Sequence, residues 1–186
     1  GRELTPACEI PYSKLVLAIG SKSNDFGVSG AKDFSLSLDS FKDAVLFQKN
    51  LVNAFLRANA MINQGKKLSE EQLKIAIVGG GATGVELASE LSNAMNTLAA
   101  YGYNAVEKQC ELQITLIEAS ERILKNLPEG ISEKVNSILR KRGVKVLESS
   151  NVTRVSEKGL SLSSGETIPA ELVVWAAGIK CASFLS

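Results

Sequence analysis

Lys74-Ile75-Ala76-Ile77-Val78-Gly79-Gly80-Gly81-Ala82-Thr83-Gly84 joins an apolar run to three spaced glycines. Its apolar half reads as a buried strand, and its second half sets glycines at 79, 81 and 84 in the spacing G-x-G-x-x-G. A helix is expected from about Ala82 to Ala100, with Leu87, Ala88, Leu91, Met95 and Leu98 as its inner stripe. Glycines in this spacing are weak evidence alone, but a strand before and a helix after are the context a dinucleotide site requires. Gly79 would permit the tight turn, Gly81 would let the backbone approach a pyrophosphate, and Gly84 would let helix and strand pack closely. Free N–H groups and the helix dipole then favour a diphosphate, so Gly79, Gly80, Gly81, Ala82, Thr83 and Gly84 together form the candidate cofactor-binding loop. No Lys follows the glycines, which excludes a nucleoside-triphosphate loop. A tight strand-to-helix turn without a ligand is the plain alternative.

Downstream, Leu112 to Glu118 is a second strand candidate and Val144 to Leu147 a third. Between them Pro128 opens a helix and Gly143 closes it, with Ile131, Val135, Ile138 and Leu139 expected to face inward. Strands alternating with helices imply a parallel sheet covered by helices. The next connection differs. Val152 to Val155, Leu160 to Leu162 and Ile168 are short β segments, punctuated by turns at Lys158-Gly159 and Ser164-Gly165. A small antiparallel meander therefore replaces a crossover helix before a last strand, Leu172 to Gly178. The expected fold is α/β: a Rossmann-like, three-layer dinucleotide-binding domain with a parallel sheet and an antiparallel β-meander crossover.

Glu118 ends the second strand, where a carboxylate can accept hydrogen bonds from an adenosine ribose. It lies 34 residues beyond Gly84, against a usual offset of about 20. The long helix and the irregular segment Tyr101 to Glu111 account for the excess. A carboxylate there would repel a 2′-phosphate and favour NAD over NADP. An ordinary strand-end carboxylate is the other possibility.

Upstream, Lys14 to Gly20 reads as a buried strand ending in glycine, and a polar loop follows from Ser21 to about Asp33. Ser35 to Leu38 suggests a short strand, and Asp39 or Ser40 can cap a helix carrying Ala44, Phe47, Leu51, Phe55, Ala58 and Ile62 at steps of three or four. That helix fades into the polar run Asn63 to Glu71, the best domain boundary. Ile10 to Gly20 also aligns without gaps on Ile168 to Gly178, matching at five of eleven positions. If the second copy closes a domain opened by Gly79, the first closes a similar one whose glycine loop precedes this chain. Two such domains suggest one for a flavin and one for a nicotinamide; chance similarity between apolar strands is the bland alternative.

The 186 residues suffice for a single core, and 21 Lys and Arg against 20 Asp and Glu leave a net charge of +1. No broad basic face marks a nucleic-acid partner; Arg140-Lys141-Arg142 suits a helix C-terminus. With no His, mechanisms needing a His base or ligand within this chain are excluded. Cys8, Cys110 and Cys181 form no CxxC pair, which fits a reducing compartment and argues against a zinc site, and no metal is expected. No run is long enough to span a membrane. The start lacks an initiator Met and a signal-peptide pattern; the expectation is a cloning remnant at Gly1 or a piece cut from something larger.

The G-G-G-A-T-G-V-E loop, Ile117-Glu118-Ala119 and Val174-Trp175-Ala176-Ala177-Gly178-Ile179-Lys180 together resemble bacterial type II NADH:quinone oxidoreductases. So does Ala18-Ile19-Gly20-Ser21 followed by Asn24-Asp25-Phe26-Gly27. The resemblance implies a flavoprotein with FAD on a first dinucleotide domain and NADH on a second. Electrons would pass from NADH to FAD to a quinone, without proton pumping, on a peripheral enzyme at the cytoplasmic face of the bacterial inner membrane. It further implies residues 1–65 as flavin-domain remnant and connecting helix, residues 66–186 as NADH-binding domain, membrane contact through a C-terminal part beyond this chain, and a possible homodimer. Ala177 and Gly178 resemble the backbone passing the nicotinamide, and Ala18, Ile19 and Gly20 the flavin domain's closing loop. Glu86 resembles a glutamate at the junction of nicotinamide, flavin and quinone, the one catalytic candidate; a carboxylate stabilised by the helix dipole is the equal alternative. Two rival readings remain. One is another flavoprotein reductase, of ferredoxin or disulfide type, and the other a non-catalytic NADH-binding sensor.

Overall fold

The computed structural model describes residues 8–100 and 112–181. In chain order the elements are β1 (Lys22–Ser23), α1 (Ala31–Phe34), α2 (Phe41–Asn63), β2 (Lys74–Val78), α3 (Ala82–Ala100) and β3 (Gln113–Ile117). They continue with α4 (Glu129–Lys141), β4 (Val144–Leu147), β5 (Val152–Ser156), β6 (Gly159–Leu162), β7 (Thr167–Pro169), β8 (Leu172–Trp175) and β9 (Ile179–Lys180). The side chains of Met95 and Leu98, and the whole segment from Tyr101 to Glu111 with Cys110, lie outside the described residues.

The central sheet is parallel, in the order β4-β3-β2-β8. Side chains alternate across it with the two-residue period of a strand. Ile75 and Ile77 of β2, Ile114 and Leu116 of β3, Val144 and Val146 of β4 and Val174 of β8 join Phe47 of α2, Val85, Ala88 and Leu91 of α3 and Leu139 of α4 in one buried cluster. The intervening Ala76, Val78, Ile117, Val173 and Trp175 turn to the other face, where they pack on Val155, Leu160, Leu162 and Ile168 of the meander. Helices, parallel sheet and meander are the three layers expected from the sequence. The β5-β6-β7 meander is antiparallel, and Gly159, at φ 132°, has no room for a side chain: a Cβ there would strike the Ile168 carbonyl.

Two expectations are corrected, and of the two candidate caps of α2 one is selected. Lys14 to Gly20 forms no strand: the segment has no regular structure, and Val16 is 84% exposed. A lone strand is held only by hydrogen bonds to neighbours, and no strand of the described residues runs beside this one. On α4, Ile131 and Ile138 face outward, 47% and 39% exposed, and the buried line is Ser132 and Leu139. The Ser132 hydroxyl donates to the Ile123 carbonyl at 2.5 Å, which sets the helix rotation and turns the two isoleucines away. Ser40, not Asp39, caps α2 by accepting from the Asp43 N–H at 3.3 Å. Asp39 instead accepts from the N–H and hydroxyl of Ser23, at 2.9 and 2.6 Å.

The short strand expected over Ser35 to Leu38 reduces to one bridge. Leu36 donates to Val173 at 2.9 Å and accepts from Trp175 at 2.8 Å, extending the parallel sheet past β8. The internal echo has a counterpart in the backbone. Gly20 and Gly178, which end its two copies, both adopt left-handed conformations, φ 75° and 65°. The residues just after them, β1 and β9, pair with each other antiparallel, Lys22 opposite Lys180 and Ser23 opposite Ile179.

Candidate dinucleotide-binding site

The chain runs from β2 outward to β3 and β4, then returns through the meander to β8 on the opposite side of β2. Open α/β sheets bind ligands at such a reversal, at the carboxyl ends of the strands. A cleft of about 720 Å³ lies there. Its floor is Gly79, Gly80, Gly81 and Ala82; one side is formed by Glu118, Ala119, Ser120 and Leu124 to Leu127, the other by Trp175 to Gly178 with Phe26 and Val28. Val78, Ile117, Ser150, Asn151 and Val152 complete the lining.

The glycines divide the work as their spacing suggests. Gly79, at φ 114°, passes so close to the next strand's end that a Cβ would lie 2.7 Å from the Ala176 carbonyl carbon and the Ala177 nitrogen. A Cβ on Gly84 would strike the Gly79 carbonyl oxygen, so only glycine lets α3 start this near β2. Gly81 is the reverse: a Cβ there would meet nothing within 4 Å. Its backbone borders open cleft, at the N-terminus of a helix whose first N–H groups have no partner within the helix. These features suit a diphosphate, because N–H groups and the dipole converge where the backbone is bare.

Glu118 is tied into the same loop. One carboxylate oxygen accepts from the Gly80 N–H at 2.6 Å, the other from the Ser120 N–H at 2.7 Å. A Cβ on Gly80 would come within 2.9 Å of the Glu118 Cβ. The carboxylate thus bridges the glycine loop and the turn after β3, and each oxygen keeps a further lone pair for a ribose hydroxyl.

The structure brings Gly79, Gly80, Gly81, Ala82, Glu118, Ala177 and Gly178 into one cleft. Gly84 is buried beneath it, and Thr83 is exposed on the first turn of α3 without lining it. Glu86 also points to solvent and is not among the lining residues. Ala18, Ile19 and Gly20 are exposed and take no part in the cleft. Among the described residues no cluster of His, Cys, Asp or Glu could hold a metal.

Several contributors escaped the sequence reading. Arg122 gathers the wall beside Glu118: its guanidinium donates to the carbonyls of Lys125 at 2.8 Å and Leu127 at 3.0 Å. The Leu124 N–H donates to Gly80 at 2.8 Å, which joins that wall to the glycine loop. Opposite, Trp175 Nε1 donates to the Asn24 carbonyl at 2.8 Å, and the Asn24 N–H to the Gly178 carbonyl at 3.2 Å. Asn24 Oδ1 accepts from the Phe26 N–H at 3.1 Å, an Asx turn that the Asn24-Asp25-Phe26-Gly27 pattern could have signalled. Asp25 lies between Lys32 at 3.4 Å and Lys180 at 3.6 Å. Desolvation pushes its carboxyl up, but the charges of the two lysines and hydrogen bonding outweigh it and hold it below the usual carboxylate range.

The model of the family described as pyridine nucleotide-disulphide oxidoreductase matches residues 4–185. The chain belongs to that family. It is 42% identical over 98% of its length to the type II NADH:quinone oxidoreductase of Haemophilus influenzae, and spans 43% of that protein. Among solved structures, NDH2 of Plasmodium falciparum in complex with NADH superposes with a TM-score of 0.76 at 21% identity, over 88% of this chain and 34% of that one. A ferredoxin reductase from Rhodopseudomonas palustris gives 0.64 at 20% identity, over 91% of this chain and 35% of that one. At such identities the structural likeness establishes the fold alone, which is the Rossmann-like, three-layer α/β fold with a meander crossover expected from the sequence.

Proposed function

We infer that this chain binds NADH in the cleft between Glu118 and Gly178, and that the whole protein is an FAD-dependent NADH:quinone oxidoreductase. The observation that carries the reading is the junction of Glu118 with the glycine loop through the Gly80 N–H, since it sets a ribose-binding carboxylate beside a diphosphate-binding helix end. The 42% identity to a type II NADH:quinone oxidoreductase favours a quinone over a ferredoxin or a disulfide as final acceptor.

In this reading the amides at the start of α3 hold the pyrophosphate, Glu118 accepts from the adenosine ribose, and Ala177 with Gly178 borders the nicotinamide. The bound nicotinamide supplies a hydride; the chain's task is to orient it. Glu86 has no place in binding here, and its proposed role, at the junction with flavin and quinone, belongs to the whole protein. Residues 1–65 are assigned to the flavin side and residues 66–186 to the NADH-binding domain. The echo of Ile10 to Gly20 in Ile168 to Gly178 is what supports that division, while β1 pairs with β9 across it. For the whole protein the proposal extends to a peripheral position on the cytoplasmic face of a bacterial inner membrane and to a homodimer. No helix among the described residues is long and apolar enough to cross a membrane.

A thermal shift tests the binding claim. NADH at 100 times its dissociation constant contributes about 2.7 kcal/mol, and NADPH should contribute much less because its 2′-phosphate meets Glu118. Equal shifts from the two nucleotides would remove the assignment of Glu118. The whole protein should reduce quinone with NADH, whereas this chain alone should bind NADH without retaining FAD or reducing quinone.

A further inference from the structure

Phe26 has a conformation and a place that its neighbours do not require for packing. Its φ is 51°, in the left-handed region, where a bulky side chain is uncommon and the backbone strained. The residue is 64% exposed, so burial does not hold it there. The holding is done by the backbone around it: Asn24 Oδ1 accepts from its N–H, Asn24 bonds to Gly178, and Trp175 Nε1 bonds to the Asn24 carbonyl. A Cβ on Gly178 would run into the Phe26 ring, so the ring lies on the bare backbone of Gly178 and forms part of the cleft wall.

The two ends of the cleft are distinguishable. Glu118 stands at the end of β3, on one side of the central glycine loop, and Gly178 follows β8 on the other. A dinucleotide whose adenosine ribose meets Glu118 and whose pyrophosphate crosses the glycine loop has only the β8 side left for its other half. We propose that Phe26 is a binding residue for the nicotinamide half of the dinucleotide, its ring forming a wall against which the nicotinamide packs. This rests on the reading of the cleft as an NADH site. An aromatic side chain occupies this strained, exposed position because the ring's free face belongs to the ligand.

The test compares two ligands that differ by the nicotinamide riboside. NADH and ADP-ribose are titrated calorimetrically into this chain and into Phe26→Gly. Glycine accepts a φ of 51° without strain, so the variant removes the ring while leaving the turn its conformation. Its melting temperature without ligand should match or exceed that of the wild type. Aromatic stacking predicts that NADH weakens by roughly two- to tenfold while ADP-ribose is unchanged. Phe26→Asn, which also tolerates this backbone region, should behave in the same way and guards against excess loop flexibility in the glycine variant. Equal weakening of both ligands, or of neither, overturns the proposal. A wild-type chain that binds neither ligand overturns the NADH-site reading, and the role of Phe26 with it.

Discussion

Replacing Glu118 by glutamine leaves the shape of the side chain and removes its charge and one of its two acceptors. In the structure both oxygens are taken by backbone N–H groups, Gly80 at 2.6 Å and Ser120 at 2.7 Å. Glutamine can satisfy only one of them and must turn its own NH₂ toward the other, donor against donor. A hydrogen bond to a charged group contributes about 1.5–3 kcal/mol, so Glu118→Gln should destabilise the chain by about that amount with no nucleotide present. For a chain of this size the corresponding fall in melting temperature is roughly 3–12 °C. Urea unfolding should show a lower midpoint with an unchanged slope, the signature of lost stability without a change in compactness. The same variant should narrow the gap between NADH and NADPH, because the repulsion of the 2′-phosphate is gone. An unchanged midpoint would refute the argument that this carboxylate fastens the glycine loop, even if nucleotide preference moved.

Gly84→Ala sets a methyl against the Gly79 carbonyl oxygen, and relief demands that α3 move away from β2. NADH binding should be lost, with a destabilisation of about 1–3 kcal/mol of the kind overpacking causes; a crystal structure showing α3 unmoved would contradict this. Asp25 titrates below its ordinary 3.8 in the folded chain, so the ionised carboxylate contributes stability that is present above that pH and disappears as pH falls through the folded value. Asp25→Asn should therefore be less stable than wild type at neutral pH, with the difference closing below about pH 4. Ser40→Ala removes the cap of α2 and should cost about 1 kcal/mol, read as a shifted urea midpoint.

Much of this molecule is legible in its sequence because its strongest signals are local. The run Lys74 to Gly84 carries strand, turn and helix start in eleven consecutive residues, and the three glycines stand where side chains would collide or block the cleft. The meander is announced by glycine turns at 159 and 165, both at positive φ. Misreadings arise where the deciding partner is distant. Lys14 to Gly20 has a strand's composition, but composition supplies no neighbouring strand to bond with. Ile131 and Ile138 have helical spacing, yet one hydroxyl, Ser132 against Ile123, turns the helix to another face. The cleft divides in the same way. Its glycines and Glu118 are legible as a motif, whereas the Arg122 guanidinium bonds to backbone carbonyls and the Phe26 ring lies on the Gly178 backbone, groups that carry no letter in the sequence. Glu86 is the opposite case, a motif position that the fold leaves outside the cleft.

Amide hydrogen exchange of this chain with and without saturating NADH locates the nucleotide on the fold, since a ligand protects the amides it bonds or covers. Exchange should slow at Gly80 to Gly84, at Ala119 and Ser120 and at Ala176 to Gly178, with no change along the exposed face of α4 at Ile131 and Ile138. Protection confined to α4, or an exchange pattern that NADH leaves unaltered throughout, would contradict binding in this cleft.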